Sequence, residues 1–321
     1  IGGVLRCGHK MLISGSSKAG KSFLLMELAV ALSEGMTWLG FKCKKSRVLY
    51  VNLEIDSASC IHRFIEIYAA LKFTPKHTDN IVLWNLRGHA VPLDKLVPKL
   101  LRRIANQHFD AVIIDPIYKV ITGDENNASE MGAFCNQFDK ICNETGCSTI
   151  YCHHHSKGAQ GFKKAMDRAS GSGVFARDPD AQLDMIQLET DSEFINNYAD
   201  NQSDTAWRLE CSLREFPNFK PRNFWFKYPI HVLDDADTLN KLYSEGDPKN
   251  NLSKSGKRSQ TPETRKEEFD RAFDINSDDG KTALQSDIAE FLGVSTRTVR
   301  DRVKEFSDEY STEKGSVSRK K

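Results

Sequence analysis

The chain has no large excess of charge of either sign, no long apolar run and no signal-peptide pattern at its start. Its 321 residues carry 45 Lys and Arg against 44 Asp and Glu, a formal charge of +1. This balance argues against a generally polycationic nucleic-acid binder, although it permits a local basic patch. No apolar run approaches the length of a membrane span, so we expect a cytoplasmic protein with no membrane partner. The first residue is Ile rather than Met, and we expect the native polypeptide to extend upstream.

Paired cysteines are also missing, because the eight cysteines contain no C-x-x-C motif. Most lie in apolar surroundings, as Cys152 does after Ile150 and Tyr151, which indicates buried free thiols in a reducing compartment. The alternative is a zinc site built from Cys147, Cys152 and the histidines that follow. That alternative lacks the paired ligand spacing of structural zinc sites.

What the chain does have is a regular alternation of strand-like and helix-like segments from residue 10 to residue 188. This βαβα order predicts an α/β fold with a mostly parallel sheet flanked by helices. Three later segments read as antiparallel strands at the sheet edge: 182–188, 207–213 and 223–228. We predict an α/β domain over 1–239, a polar flexible linker over 240–262 and a small module over 263–321.

A phosphate-binding loop follows the first predicted strand. The pattern G-x-x-x-x-G-K-[ST] places backbone N–H groups around phosphates, with Lys21 on the β- and γ-phosphates and the Ser22 hydroxyl on Mg²⁺. A buried strand before the loop and a helix after it supply the required context. We therefore expect ATP and Mg²⁺ as cofactors. The residues expected to contact the nucleotide are Gly15, Ser16, Ser17, Lys18, Ala19, Gly20, Lys21, Ser22 and Phe23.

Two carboxylates at other strand ends complete the expected chemistry. Asp115 ends the apolar strand 111–114, which is the Walker B pattern for a Mg²⁺ ligand. Pro116 occupies the next position, at which one branch of P-loop ATPases has the glutamate that activates water. Glu54, after the strand that follows the P-loop helix, is the expected proton acceptor instead. Asp56 is the alternative acceptor, and a solvated carboxylate or helix cap is the alternative role for Glu54.

A third strand end carries three consecutive histidines, of which His153 is the first. Imidazoles near a γ-phosphate report hydrolysis by exchanging a hydrogen bond. The segment 160–169 after them is rich in glycine and lysine, and it suits contact with nucleic-acid phosphates or with a neighbouring subunit. An ordinary surface loop remains the alternative interpretation of that segment.

The order of these motifs resembles the RecA-fold hexameric helicases, most of all the RepA-like replicative helicases of plasmids and mobile elements. The resemblance covers about residues 8–228 and includes His153-His154-x-Ser156-Lys157-Gly158 and the segment 169–180. It implies a hexameric ring with ATP at the subunit interfaces and single-stranded DNA bound by the core loop. It also implies catalytic roles, which we assign to Lys21, Glu54, Asp115, His153 as phosphate sensor, and an arginine finger from the adjacent subunit. Arg214 is the preferred finger and Arg168 the other candidate, while a surface salt bridge is the alternative role for both.

The C-terminal module departs from the simplest members of that family. Its segment 283–303 resembles a helix-turn-helix of the winged-helix type, with Gly293 at the turn and Ser295 or Thr296 capping a basic second helix. That helix is expected to expose Arg297, Thr298, Arg300, Arg302 and Lys304. Contact with duplex DNA is one interpretation of the module, and docking to a protein partner is the other.

Taken together, the motifs predict an ATP-hydrolysing RecA-fold motor that acts on DNA, a replicative helicase of a plasmid, phage or mobile element. The second hypothesis is an ATP-dependent DNA-binding regulator or helicase loader that does not unwind DNA. A metabolic P-loop kinase is a third, for which the sequence offers no acceptor-substrate pocket.

Overall fold

The computed structural model describes residues 1–155, 177–244, 262–277, 281–292, 294–313 and 315–320. It divides the chain into two compact units, Ile1–Asn250 and Asn251–Lys321. The described residues do not include most of the predicted linker, the segment 160–169 predicted to contact DNA, or Gly293.

A nine-stranded sheet forms the centre of the first unit, with the strand order β11-β10-β9-β8-β1-β7-β6-β4-β5. Its strands are β1 (Lys10–Gly15), β4 (Val48–Asn52), β5 (Ile81–Asn85), β6 (Ala111–Asp115), β7 (Ser148–His154), β8 (Ala181–Gln187), β9 (Thr205–Leu213), β10 (Arg222–Lys227) and β11 (Ile230–Leu233). A short hairpin of β2 (Thr37–Trp38) and β3 (Phe41–Lys42) lies apart from it. Strands β5, β4, β6, β7, β1 and β8 are parallel to one another. The predicted α/β architecture with a mostly parallel sheet is thus confirmed.

One sheet prediction was wrong. The segment expected as an antiparallel edge strand over 182–188 is β8, which runs parallel to β1 in the interior of the sheet. Its other neighbour, β9, is antiparallel to it. Strand β8 is hydrogen-bonded at both edges, to β1 and to β9, and its residues 181–186 are all buried, as in an interior strand covered on both faces. The antiparallel part of the sheet therefore begins one strand later, at β9.

The helices of the first unit cover both faces of this sheet. They are α1 (Lys21–Glu34), α2 (Ser57–Ala70), α3 (Leu93–Gln107), α4 (Ala128–Thr145) and α5 (Ser192–Tyr198). Successive residues of β1 point to opposite faces, so Met11 and Ile13 pack with α1 and α2. Leu12 packs with α3 and α4 in a second core. Two apolar layers therefore hold the parallel strands in place from either side.

The second unit packs helices against a small antiparallel sheet. Its elements are α6 (Pro262–Asn276), β12 (Thr282–Leu284), α7 (Gln285–Leu292), α8 (Thr296–Glu305), β13 (Tyr310–Glu313) and β14 (Ser316–Arg319). Phe269, Ile288 and Val299 share its apolar core. The Ser295 hydroxyl caps α8 by accepting a bond from the Thr298 N–H over 3.1 Å. Arg297, Arg300 and Lys304 are exposed on α8, as expected. The expectation was wrong for Thr298 and Arg302, which are half-buried.

None of the helices in the described residues combines the length and apolar character needed to cross a bilayer. The described residues also contain no group of three or more His, Cys, Asp or Glu side chains arranged to hold a metal ion. The two cysteines of the zinc alternative bond elsewhere, since the Cys147 thiol donates to the Phe109 carbonyl over 2.8 Å and the Cys152 thiol to Asp115 Oδ1 over 3.0 Å.

Candidate functional site

A pocket of about 460 Å³ opens at the carboxyl edge of the parallel strands β1, β4, β6 and β7. The residue pairing of β4 with β6 places Asn52 beside Asp115, and that of β1 with β7 places Gly15 beside His154. Strand ends that are distant in sequence therefore meet at one edge. The pocket is lined by Ser17, Lys18, Ala19, Gly20, Lys21, Ser22, Phe23, Glu54, Ile55, Arg63, Asp115, Pro116, Cys152, His154 and Phe226.

The phosphate loop forms one wall of the pocket, between β1 and α1. Gly20 takes the left-handed conformation at φ 76° as it caps α1, and Lys18 does so at φ 63°. The first turn of α1 thus presents its N–H groups to the pocket, where an anion is stabilised. Lys21 Nζ donates to the carbonyls of Gly15 over 2.9 Å and of Ser16 over 2.7 Å. Burial lowers the pKa of Lys21, while Cys152, Asp115 and Glu54 oppose the shift.

Asp115 is a buried carboxylate on the opposite wall. The Tyr50 hydroxyl donates to its Oδ2 over 2.7 Å and the Cys152 thiol donates to its Oδ1 over 3.0 Å. Both donors are uncharged: burial, followed by the neighbouring Asp115, raises the pKa values of Tyr50 and Cys152 well above their ordinary values. A buried carboxylate held by neutral donors beside a serine hydroxyl, that of Ser22, is a donor set that Mg²⁺ prefers. These residues therefore fit the expected metal.

Glu54 lies at the pocket rim on the tight turn after β4. The turn is shaped by Asn52, whose side-chain oxygen accepts bonds from the N–H groups of Glu54 and Ile55. The Glu54 side chain is exposed, and its Oε1 accepts a bond from the Tyr118 hydroxyl over 2.9 Å. The alternative acceptor Asp56 instead caps α2, accepting from the Ser59 N–H over 2.9 Å, and the bonds from Ser59 lower its pKa. Glu54 lines the pocket and Asp56 is not among the lining residues.

The histidines at the end of β7 point alternately to opposite sides of the sheet. His154 lines the pocket, with Nδ1 3.3 Å from Lys21 Nζ. His153, the expected sensor, is not among the lining residues; its Nε2 lies 3.4 Å from Glu125 Oε2 on the other side. Burial lowers the pKa of His153 to about 4, with Glu125 opposing the shift. In this structure the position facing the phosphate loop therefore belongs to His154.

Arg214 lies at the opposite edge of the sheet from this pocket. It follows β9, and its guanidinium contacts Asp180 Oδ1 over 2.9 Å and the Arg177 carbonyl over 3.0 Å. Asp180 bonds to the Lys10 backbone at the start of β1, roughly 20 Å from the phosphate loop at 3.3 Å per residue along six residues. Arg214 thus takes no part in the pocket of its own chain. Arg168, the other finger candidate, lies outside the described residues.

Arg63 and Phe226 are among the pocket residues to which the sequence assigned no role. Arg63 of α2 lies over the Phe23 ring, 4.7 Å from its centroid, and Phe226 of β10 lies 5.6 Å from the same ring. Together they form an aromatic and cationic wall beside the phosphate loop, of the kind that stacks on a planar base. No local pattern pointed to Phe226, because β10 is brought to the pocket only by the sheet order.

Comparison with known proteins bears on the first unit. Residues 1–160 match the family model described as the AAA domain. The matched part includes the phosphate loop, Glu54 and Asp115. Among solved structures, the ATPase domain of G40P is similar to this chain with a TM-score of 0.48 and 13% identity. That similarity covers 68% of this chain and 82% of the other chain.

Proposed function

We propose that this protein is an ATP-hydrolysing RecA-fold motor that acts on DNA, a replicative helicase of a plasmid, phage or mobile element. The observation that carries the proposal is the convergence of Lys21, Ser22, Asp115 and Glu54 on one pocket at the carboxyl edge of the sheet. The same proposal includes a cytoplasmic location and a hexameric ring with single-stranded DNA held by the segment 160–169.

Five residues of the pocket have a defined part in the proposed hydrolysis. Lys21 leaves the carbonyls of Gly15 and Ser16 for the β- and γ-phosphates, and the N–H groups at the start of α1 bind the same oxygens. Asp115 and Ser22 would hold Mg²⁺, which neutralises charge on the β- and γ-phosphate oxygens. Glu54 accepts a proton from the attacking water, whose oxygen bonds to the γ-phosphorus as the bond to the ADP oxygen breaks. His154, beside Lys21, takes the sensor role that the sequence gave to His153.

The first experiment tests the ATPase. In steady-state assays we expect Lys21→Ala to lose nucleotide binding and Glu54→Gln to keep binding while kcat falls by a factor of about 10² or more, the usual contribution of a general base. Asp56→Asn is the matched control, since Asp56 caps α2 outside the pocket. Normal hydrolysis by Glu54→Gln would refute the assignment of the proton acceptor.

The second experiment separates the motor from the alternative function. A forked duplex with a single-stranded tail is incubated with ATP and protein, with Lys21→Ala as control. Strand separation that depends on Lys21 supports the helicase. ATPase activity stimulated by single strands without separation refutes it. Solution mass with and without a non-hydrolysable nucleotide tests the ring, and a monomer in both states argues against it.

The second candidate function is an ATP-dependent DNA-binding regulator or helicase loader. One observation favours it: α8 of the second unit exposes Arg297, Arg300 and Lys304 behind a serine cap. A capped basic helix suits entry into the major groove of duplex DNA. If the full chain bound a specific duplex tightly and separated no strands, this function would replace the helicase.

A further inference from the structure

Glu54 accepts a hydrogen bond from Tyr118, a residue to which no sequence motif gives a role. Tyr118 lies in the 3₁₀ turn Ile117–Lys119, directly after Asp115 and Pro116. Its hydroxyl donates to Glu54 Oε1 over 2.9 Å. The turn is fixed to the core, since Ile117 is fully buried and its carbonyl accepts the Val120 N–H over 2.9 Å. The hydroxyl that contacts Glu54 is therefore presented by an anchored element.

The Tyr118 ring is itself held by its neighbours. It lies 5.4 Å from the His154 ring at an angle of 45°, and Lys119 Nζ lies 4.9 Å from its centroid. His154 is in turn 3.3 Å from Lys21 Nζ. A continuous row of contacts thus leads from the phosphate-binding Lys21 through His154 and Tyr118 to Glu54.

The bond matters because Glu54 is exposed and long. A free glutamate side chain samples many rotamers, and fixing it costs up to about 2 kcal/mol. A hydroxyl that donates to a carboxylate forms a charge-assisted bond, which helps to fix it. Burial, followed by the bond to Glu54, raises the pKa of Tyr118, so the phenol remains a donor at neutral pH. In the described part of the chain, Glu54 Oε2 has no hydrogen-bond donor, which leaves this oxygen for a water proton.

We propose that Tyr118 is a positioning residue for ATP hydrolysis: it fixes Glu54 toward the attacking water, and its ring contact with His154 links this position to the phosphate site. The inference rests on the proposed function, because it takes Glu54 as the proton acceptor. Tyr118 is not among the residues that line the pocket, so its effect passes through Glu54.

The test is Tyr118→Phe in the full chain, assayed by steady-state ATP hydrolysis. We expect kcat to fall about tenfold, since misplacement of a catalytic group by 1 Å costs up to about a hundredfold. KM for ATP and the affinity for a fluorescent ADP are expected to stay within about twofold of the wild-type values. In a Glu54→Gln background the same substitution should have no further effect, because an amide cannot accept the water proton wherever it is held.

Tyr68→Phe is the matched control. The Tyr68 hydroxyl donates to another glutamate, Glu34 Oε1, over 3.2 Å, and neither residue lines the pocket. We expect wild-type kcat for this variant. Melting temperatures of all variants show whether folding is intact, and Tyr118→Leu, which removes both hydroxyl and ring, should lower kcat at least as much.

The outcomes separate the two proposals. Three results would each overturn the role of Tyr118 while leaving the ATPase assignment intact. They are a wild-type kcat in Tyr118→Phe, an equal loss of kcat in Tyr68→Phe, and a further loss of kcat in the Glu54→Gln background. Unimpaired hydrolysis by Glu54→Gln would overturn the assignment of Glu54 and the inference with it.

Discussion

Replacing Gly20 by alanine is a sharp test of how the phosphate loop is built. Gly20 has φ 76°, a conformation that costs a residue with a side chain about 1–2 kcal/mol. An added Cβ would also lie 3.2 Å from Nε2 of His231 and 3.6 Å from Cδ2 of Phe226. The substitution therefore combines backbone strain with a close contact.

The imidazole of His231 has little freedom to move away from that contact. Its side chain is fully buried, and its backbone N–H donates to both carboxylate oxygens of Glu27 over 3.1 and 3.2 Å. Nδ1 lies 2.5 Å from Glu27 Oε1, so the ring is tied to α1 as well. Overpacking against a fixed group costs about 1–3 kcal/mol, which brings the expected loss for Gly20→Ala to about 2–5 kcal/mol.

Gly146→Ala is the matched control, because Gly146 caps α4 at φ 72° and an added Cβ meets nothing within 4 Å. It should lose only the backbone part, about 1–2 kcal/mol. Urea unfolding without nucleotide measures both free energies of unfolding. We expect Gly20→Ala to lose at least about 1 kcal/mol more than Gly146→Ala. Equal losses would refute the idea that His231 is a fixed wall behind the loop.

Three further predictions concern other parts of the chain. Burial lowers the pKa of His153 in the folded chain from 6.5 to about 4. As the pH falls, the unfolded chain therefore binds a proton at this residue before the folded chain does. Stability that is present above pH 6.5 is lost as the pH falls toward 4. The expected loss of unfolding free energy is on the order of 3 kcal/mol. Urea unfolding between pH 7 and 4 measures how this free energy depends on pH, and His153→Asn should make the dependence weaker. An unchanged pH dependence in the variant would contradict the prediction. Arg63→Ala should weaken binding of fluorescent ADP severalfold, since loss of a cation–π contact costs about 0.5–2 kcal/mol. It should have little effect on binding of inorganic phosphate. Equal weakening of ADP and phosphate binding would argue against a contact between Arg63 and the base. If α8 contacts DNA phosphates, Arg297→Ala and Arg300→Ala should each lower the salt dependence of duplex binding by about one counterion, whereas an unchanged slope would favour a protein partner for this helix.

Much of the fold was predictable because its signals are local. Helix α3 begins and ends where its apolar spacing indicates, at Leu93 and Gln107. The P-loop likewise needs only a strand, a glycine turn and a helix in immediate succession. Strand β8 was predicted wrongly because its apolar residues suit a strand of either direction. Its direction depends on its pairing with β1, for which the sequence carries no local signal.

The site shows the same division between local and distant information. The sequence alone indicated that Glu54 and Asp115 lie at strand ends and that Lys21 and Ser22 begin the helix after β1. These residues are expected at one edge, since parallel strands bring their carboxyl ends together there. The choice of His154 over His153 required knowing which face of β7 meets the phosphate loop, because neighbouring residues of a strand point to opposite sides.

By itself, the sequence determined that a P-loop, a motif typical of phosphate binding, follows the first strand of a mostly parallel sheet. The tertiary structure alone decided which other side chains surround that loop. Phe226 reaches the pocket from β10 and Tyr118 reaches Glu54 from the turn after β6. Such contacts join segments 64 to more than 200 residues apart, as Tyr118–Glu54 and His231–Glu27 do. No local pattern encodes them, because they depend on strand order and on the way the hairpin of β10 and β11 packs on α1.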